Sequence, residues 1–177
     1  MRCAICQRED LPLTREHVFA RWLTQRVGSA GASRVIASVC AECNAGWMSA
    51  LEVAFRRLLT RPRSGPIAAP DRAALSRWFT KTAVLVADAQ GAALVEPARR
   101  PALTRGMPDG VEVFIARRRR ATSRLGYGRN SDGSVSVSVD DLLGHVAATG
   151  VLVSAQGTRL WPLRTHALRW DTLPVIT

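Results

Sequence analysis

An α+β fold with a metal-braced N-terminal module is what this sequence predicts, on three observations. All four cysteines fall into two Cys-x-x-Cys pairs, Cys3/Cys6 and Cys40/Cys43. Ala74, Leu75, Trp78, Phe79, Thr82 and Leu85 recur at helical spacing, and beyond residue 110 β-branched residues alternate with polar ones.

The cysteine pairs come first along the chain. A two-residue gap lets a tight turn aim two thiolates at one ion, and two such turns complete a tetrahedral shell of soft ligands, the preference of zinc. Positions 7–39 leave room for a hairpin and a loop held across that metal. The alternative, a disulfide framework, belongs to an oxidising compartment, and no charged stretch followed by an apolar segment marks this chain for export. The expected location is therefore the cytoplasm, with Cys3, Cys6, Cys40 and Cys43 as ligands of structural zinc. Phe19, Trp22, Leu23, Trp47 and Phe55 are expected to form core around this module.

After the second pair a helix begins, at Asn44, a strong N-cap residue, or at Ser49, where Ser49-Ala50-Leu51-Glu52 fits a capping box. Arg61-Pro62-Arg63-Ser64-Gly65-Pro66 interrupts it and divides the chain into two expected units, 1–62 and 63–177. Asp71 reads as the N-cap of a helix to Ala89. The turn Pro108-Asp109-Gly110 precedes a strand at Val111–Ile115. Val135, Val137 and Val139 alternate with Ser134, Ser136 and Ser138. Val146 to Ser154 and Thr158 to Trp161 suggest a hairpin about Gln156-Gly157, completing an antiparallel sheet. His145 and His166 have no chemical neighbours in sequence and read as structural or solvated.

The segment Leu13-Thr14-Arg15-Glu16-His17-Val18, set between the cysteine pairs, and the run Cys40-Ala41-Glu42-Cys43-Asn44 together carry a resemblance. The pattern resembles the HNH endonucleases of the ββα-metal (His-Me finger) type, in the version braced by a structural zinc. Asn44 to Glu52 and Trp78 to Ala83 are similar to a large group of poorly characterised bacterial HNH-like proteins. The resemblance implies a treble-clef/ββα-metal module and a metal-dependent endonuclease, cutting DNA in preference to RNA. His17 would be the general base, and Glu16 and Asn44 the oxygen ligands of a catalytic magnesium or manganese ion. Imidazole suits the base because its ordinary pKa lies near neutrality, and carboxylate and amide oxygens suit a hard cation. The pattern departs from the family at three places. No Asn stands in Arg34–Val39 to orient the histidine, Ala20 replaces a frequent Pro, and Met48 replaces a frequent ligand.

Charge agrees with a nucleic-acid partner. Twenty-five Lys plus Arg against 14 Asp plus Glu give a net charge of +11, a level at which a phosphate polymer is the natural counter-charge. Lys81 is the only lysine. Arginine's planar fork matches phosphate, although GC-rich coding DNA favours Arg in any protein. The densest basic run, Arg117, Arg118, Arg119 and Arg120, reads either as a phosphate-binding patch or as a solvated strand end. No 18-residue apolar run is present, which excludes a membrane-spanning helix. Two rivals to the nuclease stand beside it: a binding module whose HNH site has decayed, and a subunit of a larger nucleoprotein or defence assembly.

Overall fold

The computed structural model describes residues 1–26, 35–60, 68–118, 125–129, 135–139, 149–154 and 170–172. It is a mixed helix-and-strand structure with the cysteine cluster near its N-terminus. The chain opens with a knuckle carrying Cys3 and Cys6. It is closed by Cys3 N–H to Arg8 O (2.9 Å) and Gln7 N–H to Cys3 O (3.1 Å). Gln7 takes a left-handed backbone conformation (φ 63). Its side-chain amide spans the turn, donating to Cys3 O and Ala4 O, both at 3.0 Å.

Strands β1 (Leu13–His17) and β2 (Ile36–Cys40) pair antiparallel, with Leu13 opposite Cys40 and His17 opposite Ile36. Between them lies a short helix, α1 (Arg21–Arg26). The hairpin register matters because it carries Cys40 back to the knuckle, where Ala4 N–H donates to Ser38 O at 2.9 Å. After β2 the chain turns helical at once. A turn, α2 (Ala41–Cys43), runs into a π-helical turn (Asn44–Met48), and α3 (Ser49–Thr60) follows. Gly46 (φ −87, ψ −116) marks the break. A helical turn thus begins at Ala41, ahead of both expected positions, while the regular α-helix α3 begins at Ser49, one of the two. The cysteine turn itself provides the entry.

Helix α4 (Ala69–Ala89) lies where the spacing placed it, with one correction at its start. Ala68 is the N-cap and Asp71 sits in the first turn. Pro70 explains this, since its fixed φ suits a first helical turn and it has no N–H to satisfy there. Periodicity suggested one apolar face, yet Leu75 to Ala87 are buried on every side except at Arg77. A helix buried all round lies between layers. On one side α4 meets α3 and β2, and on the other β3, β4, β5 and β6. Phe55 of α3 stacks on Trp78 of α4 with centroids 3.6 Å apart, and Phe79 meets both rings edge-on.

Beyond α4, a 3-10 helix (Pro97–Thr104) leads to a turn at Gly110 (φ +66), whose reversed backbone favours glycine. The sheet comprises β3 (Glu112–Arg118), β4 (Leu125–Arg129), β5 (Val135–Val139), β6 (Thr149–Ser154) and β7 (Trp170–Thr172). Its order is β4-β5-β6-β3-β7, with antiparallel neighbours throughout. Val113, Val135, Val137 and Val139 are buried, so the alternation in the sequence reports the face turned inward. Positions 155–169, including Thr158–Trp161 and His166, lie outside the described residues, as do His145 and the linker Arg61–Pro66. Among the described residues no helix is long and apolar enough to cross a membrane.

Candidate metal centre and adjoining cleft

Knuckle, hairpin and helix entry bring Cys3, Cys6, Cys40 and Cys43 together, with all four sulfurs within 4.8 Å of one another. All four are free thiols. The Cys6 and Cys40 sulfurs lie 3.6 Å apart. A disulfide needs about 2.05 Å, whereas zinc bound at about 2.3 Å by four sulfurs separates them by roughly 3.8 Å along each tetrahedral edge. The distance fits a shared ion and not a bridge. Four such sulfurs can hold one metal ion such as zinc.

The surroundings favour thiolate at Cys3 and hold Cys6, through burial, and Cys43 toward the thiol. The Cys43 thiol donates to Cys3 and pulls the Cys3 thiol far below the usual thiol range. Burial opposes that shift, and the backbone around Cys40, Cys6 and Ile5 assists it. One such contact is Cys40 N–H to Cys3 Sγ at 3.3 Å. Cys43 is pushed up by the same bond and by burial. Backbone N–H groups aimed at sulfur fix where a ligand points as well as its charge.

One residue past the last cysteine, the chain enters a cleft of about 370 Å³ lined by Thr14, Glu16, Asn44, Met48 and Glu52 among others. Its two walls are the β1 strand and the helical run that leaves the cysteine centre. Asn44 is fixed there by its amide, which donates to Thr14 Oγ1 at 3.0 Å. Thr14 in turn donates to Val39 O at 2.9 Å. Half-buried Glu16 has its carboxyl raised above the usual carboxylate range. Burial is the main cause and the Glu52 charge adds to it, while Lys81, His17 and the Asn44 amide oppose it.

Glu52 is the residue that sequence reasoning missed, having entered only as a partner in a helix-start motif. Its carboxylate turns inward. Oε1 accepts from Trp78 Nε1 at 2.6 Å and from Lys81 Nζ at 2.8 Å. Lys81 is 0% exposed, and Glu52 Oε2 is buried without a hydrogen-bond partner. Met48 also lines the cleft, and its thioether offers no hard oxygen. Glu52, one helical turn further on, presents a carboxylate to the same space. The signal was Lys81: a sole lysine inside an apolar helix has to be buried with a counter-charge.

Glu16 and Asn44 therefore meet at the cleft, and His17 does not line it. Successive strand residues face opposite ways, and Thr14 and Glu16 take the cleft side. His17 instead accepts a hydrogen bond at Nε2 from Arg21 Nε at 3.2 Å. In the basic run, Arg117 and Arg118 end β3, while Arg119 and Arg120 lie outside the described residues. No protein-family model, curated protein or solved structure matches this chain.

Proposed function

We propose that this chain is a zinc-braced, HNH-like endonuclease with a treble-clef/ββα-metal module, hydrolysing phosphodiester bonds of nucleic acid, DNA in preference to RNA. The observation that carries the reading is the junction of the two sites. Asn44 directly follows the ligand Cys43 and reaches the cleft that also holds Glu16. A structural zinc at Cys3, Cys6, Cys40 and Cys43 would fix one wall of that cleft without touching substrate.

Glu16 and Asn44 would hold magnesium or manganese, hard ions that accept two protein oxygens and keep several waters. Such an ion supplies charge stabilisation at the scissile phosphate and the leaving oxygen. Lys81 neutralises Glu52, which leaves Glu16 as the carboxylate for the cation. His17 would take the proton of the attacking water at a ring nitrogen. With no asparagine in the segment 34–39 to aim the imidazole, and with Arg21 on its Nε2, slow turnover is expected, because the base spends less time in line with water. The net charge of +11 draws the polymer in, with Arg117 to Arg120 as one phosphate-binding patch.

The test compares wild type with His17→Ala on supercoiled plasmid, with and without manganese. Cleavage that needs added manganese and is lost in His17→Ala is the expected result. Equal cleavage by both proteins, or none by either on DNA and RNA, removes the nuclease. A second reading, a zinc-finger-type nucleic-acid-binding module without catalysis, is favoured by one observation: His17 stands outside the cleft lining, engaged by Arg21. Both readings require DNA affinity that falls steeply with salt, and cleavage alone separates them.

A further inference from the structure

We propose that Arg21 is a phosphate-responsive latch on His17, holding the imidazole in a masked state until a substrate phosphate draws the guanidinium away. The proposal rests on the nuclease reading for its purpose, but its structural content stands on the hydrogen bond itself. Arg21 Nε donates to His17 Nε2 at 3.2 Å. A ring nitrogen whose lone pair is engaged in this way cannot at the same time accept a proton from water. Reagent and mask are thus one pair of side chains, at the end of β1 and the start of α1.

The backbone beneath them is pinned. Val18 and Phe19, between the two, are 0% exposed, and Val18 N–H donates to Val35 O at 3.0 Å. The start of α1 is fixed by Leu23 and Thr24 N–H groups on Ala20 O, and by Thr24 Oγ1 on Arg21 O at 3.0 Å. Release therefore needs only side-chain rotation, which exposed residues complete in picoseconds to nanoseconds.

The guanidinium has reason to leave. Arg21 is exposed and forms no ion pair with a carboxylate among the described residues. Its bond to imidazole sets a charge against a neutral acceptor. A phosphate diester offers an anion and two oxygens in the fork geometry that arginine matches, and such charge-assisted bonds are about twice as strong. The displacing phosphate also has to sit beside His17, because the guanidinium that binds it starts within hydrogen-bond distance of the ring. One anion would thus free the ring nitrogen and take up a place beside it. Inorganic phosphate and a nucleic-acid backbone share this chemistry, and the polymer adds affinity through the surrounding arginines.

The experiment reads the His17 ring nitrogens by nitrogen-15 NMR in the full, zinc-loaded chain at about pH 8, above the ordinary imidazole range. Wild type is expected to show Nε2 as a hydrogen-bonded acceptor, with the proton on Nδ1. Adding inorganic phosphate, or a short DNA duplex at lower concentration, should shift Nε2 toward the value seen in Arg21→Ala. Arg21→Ala should not respond to either probe, and Arg21→Lys, which keeps the charge without the fork, should respond weakly. If Nε2 is the same in wild type and Arg21→Ala, or wild type ignores both probes, the latch is overturned. Where cleavage is measurable, Arg21→Ala should raise KM about tenfold or more, as loss of a charged hydrogen bond to substrate requires. A wild type that cuts nothing while Nε2 still answers phosphate would remove the nuclease and leave the latch as a phosphate sensor.

Discussion

At the scale of single residues, the pair formed by Glu52 and Lys81 decides what the cleft can be. A fully buried ammonium is tolerable only because Glu52 Oε1 meets it at 2.8 Å and Trp78 completes the shell of that oxygen. Removing one partner strands the other charge, so Glu52→Ala should destabilise the chain by about 3–5 kcal/mol in denaturant titrations. Replacing both, as Glu52→Gln with Lys81→Met, should recover most of that loss, because neither charge then remains to be desolvated. Glu16 makes a prediction of opposite kind. Burial raises its carboxyl, so the folded chain holds that proton more tightly than the unfolded one. Ionising Glu16 therefore costs stability, and the cost is relieved as pH falls through the raised value. A cation needs the ionised form, so manganese affinity, measured by calorimetry, should strengthen as pH rises through that value. Glu16→Gln should bind weakly and with a flatter pH dependence.

Among the elements, legibility followed how local the cause was. The Cys-x-x-Cys turns, the hairpin between them and the period of α4 are short-range patterns, and each lies close to its expected place. β5 was legible for the same reason, its three valines marking the buried face. β4 was not, because Gly126 and Gly128 dilute its strand signal, and β7 is three residues long. The 3-10 helix begins at Pro97 and contains Pro101, residues that read as breakers, and α1 is too short for a period to show. Half of the cleft was equally hidden. Asn44 and Glu16 were visible from the motif, whereas Glu52 depends on α4 crossing α3, a tertiary fact. That crossing is held by the stack of Phe55 on Trp78. Phe55→Ala should cost about 3–5 kcal/mol and loosen α3, and with it Glu52. Circular dichroism melts would detect the first effect, and faster amide exchange along α3 the second.

For the whole molecule, the cysteine centre stands at one end of a continuous buried cluster that runs through α4 into the five-stranded sheet. With four thiolates committed to one ion, zinc should copurify at one per chain, and metal analysis of protein made without added zinc checks this. Metal binding of this kind contributes on the order of 10 kcal/mol to folding in small modules. Cys40→Ala should therefore unfold residues 1–60, seen as loss of their amide-exchange protection, and metal-free folded wild type would contradict the assignment. The charge of +11 was legible at once, but its distribution was not, because composition carries no geometry.

Buried Arg100 ties the cysteine knuckle to the end of α4. It donates to Ala4 O between the first two cysteines at 3.0 Å, to Val95 O at 2.9 Å and to Asp88 Oδ1 at 2.6 Å. Seen in the order of synthesis, this contact is a late event. All four cysteines have left the ribosome before Arg100 is made, and at about 5–20 residues per second the interval is roughly 3–11 s. The knuckle is open to an arriving ion during that window and is clamped from behind once Arg100 docks. An ion taken up by the nascent chain should then leave the finished one slowly, and Arg100→Ala should speed zinc loss to a chelator.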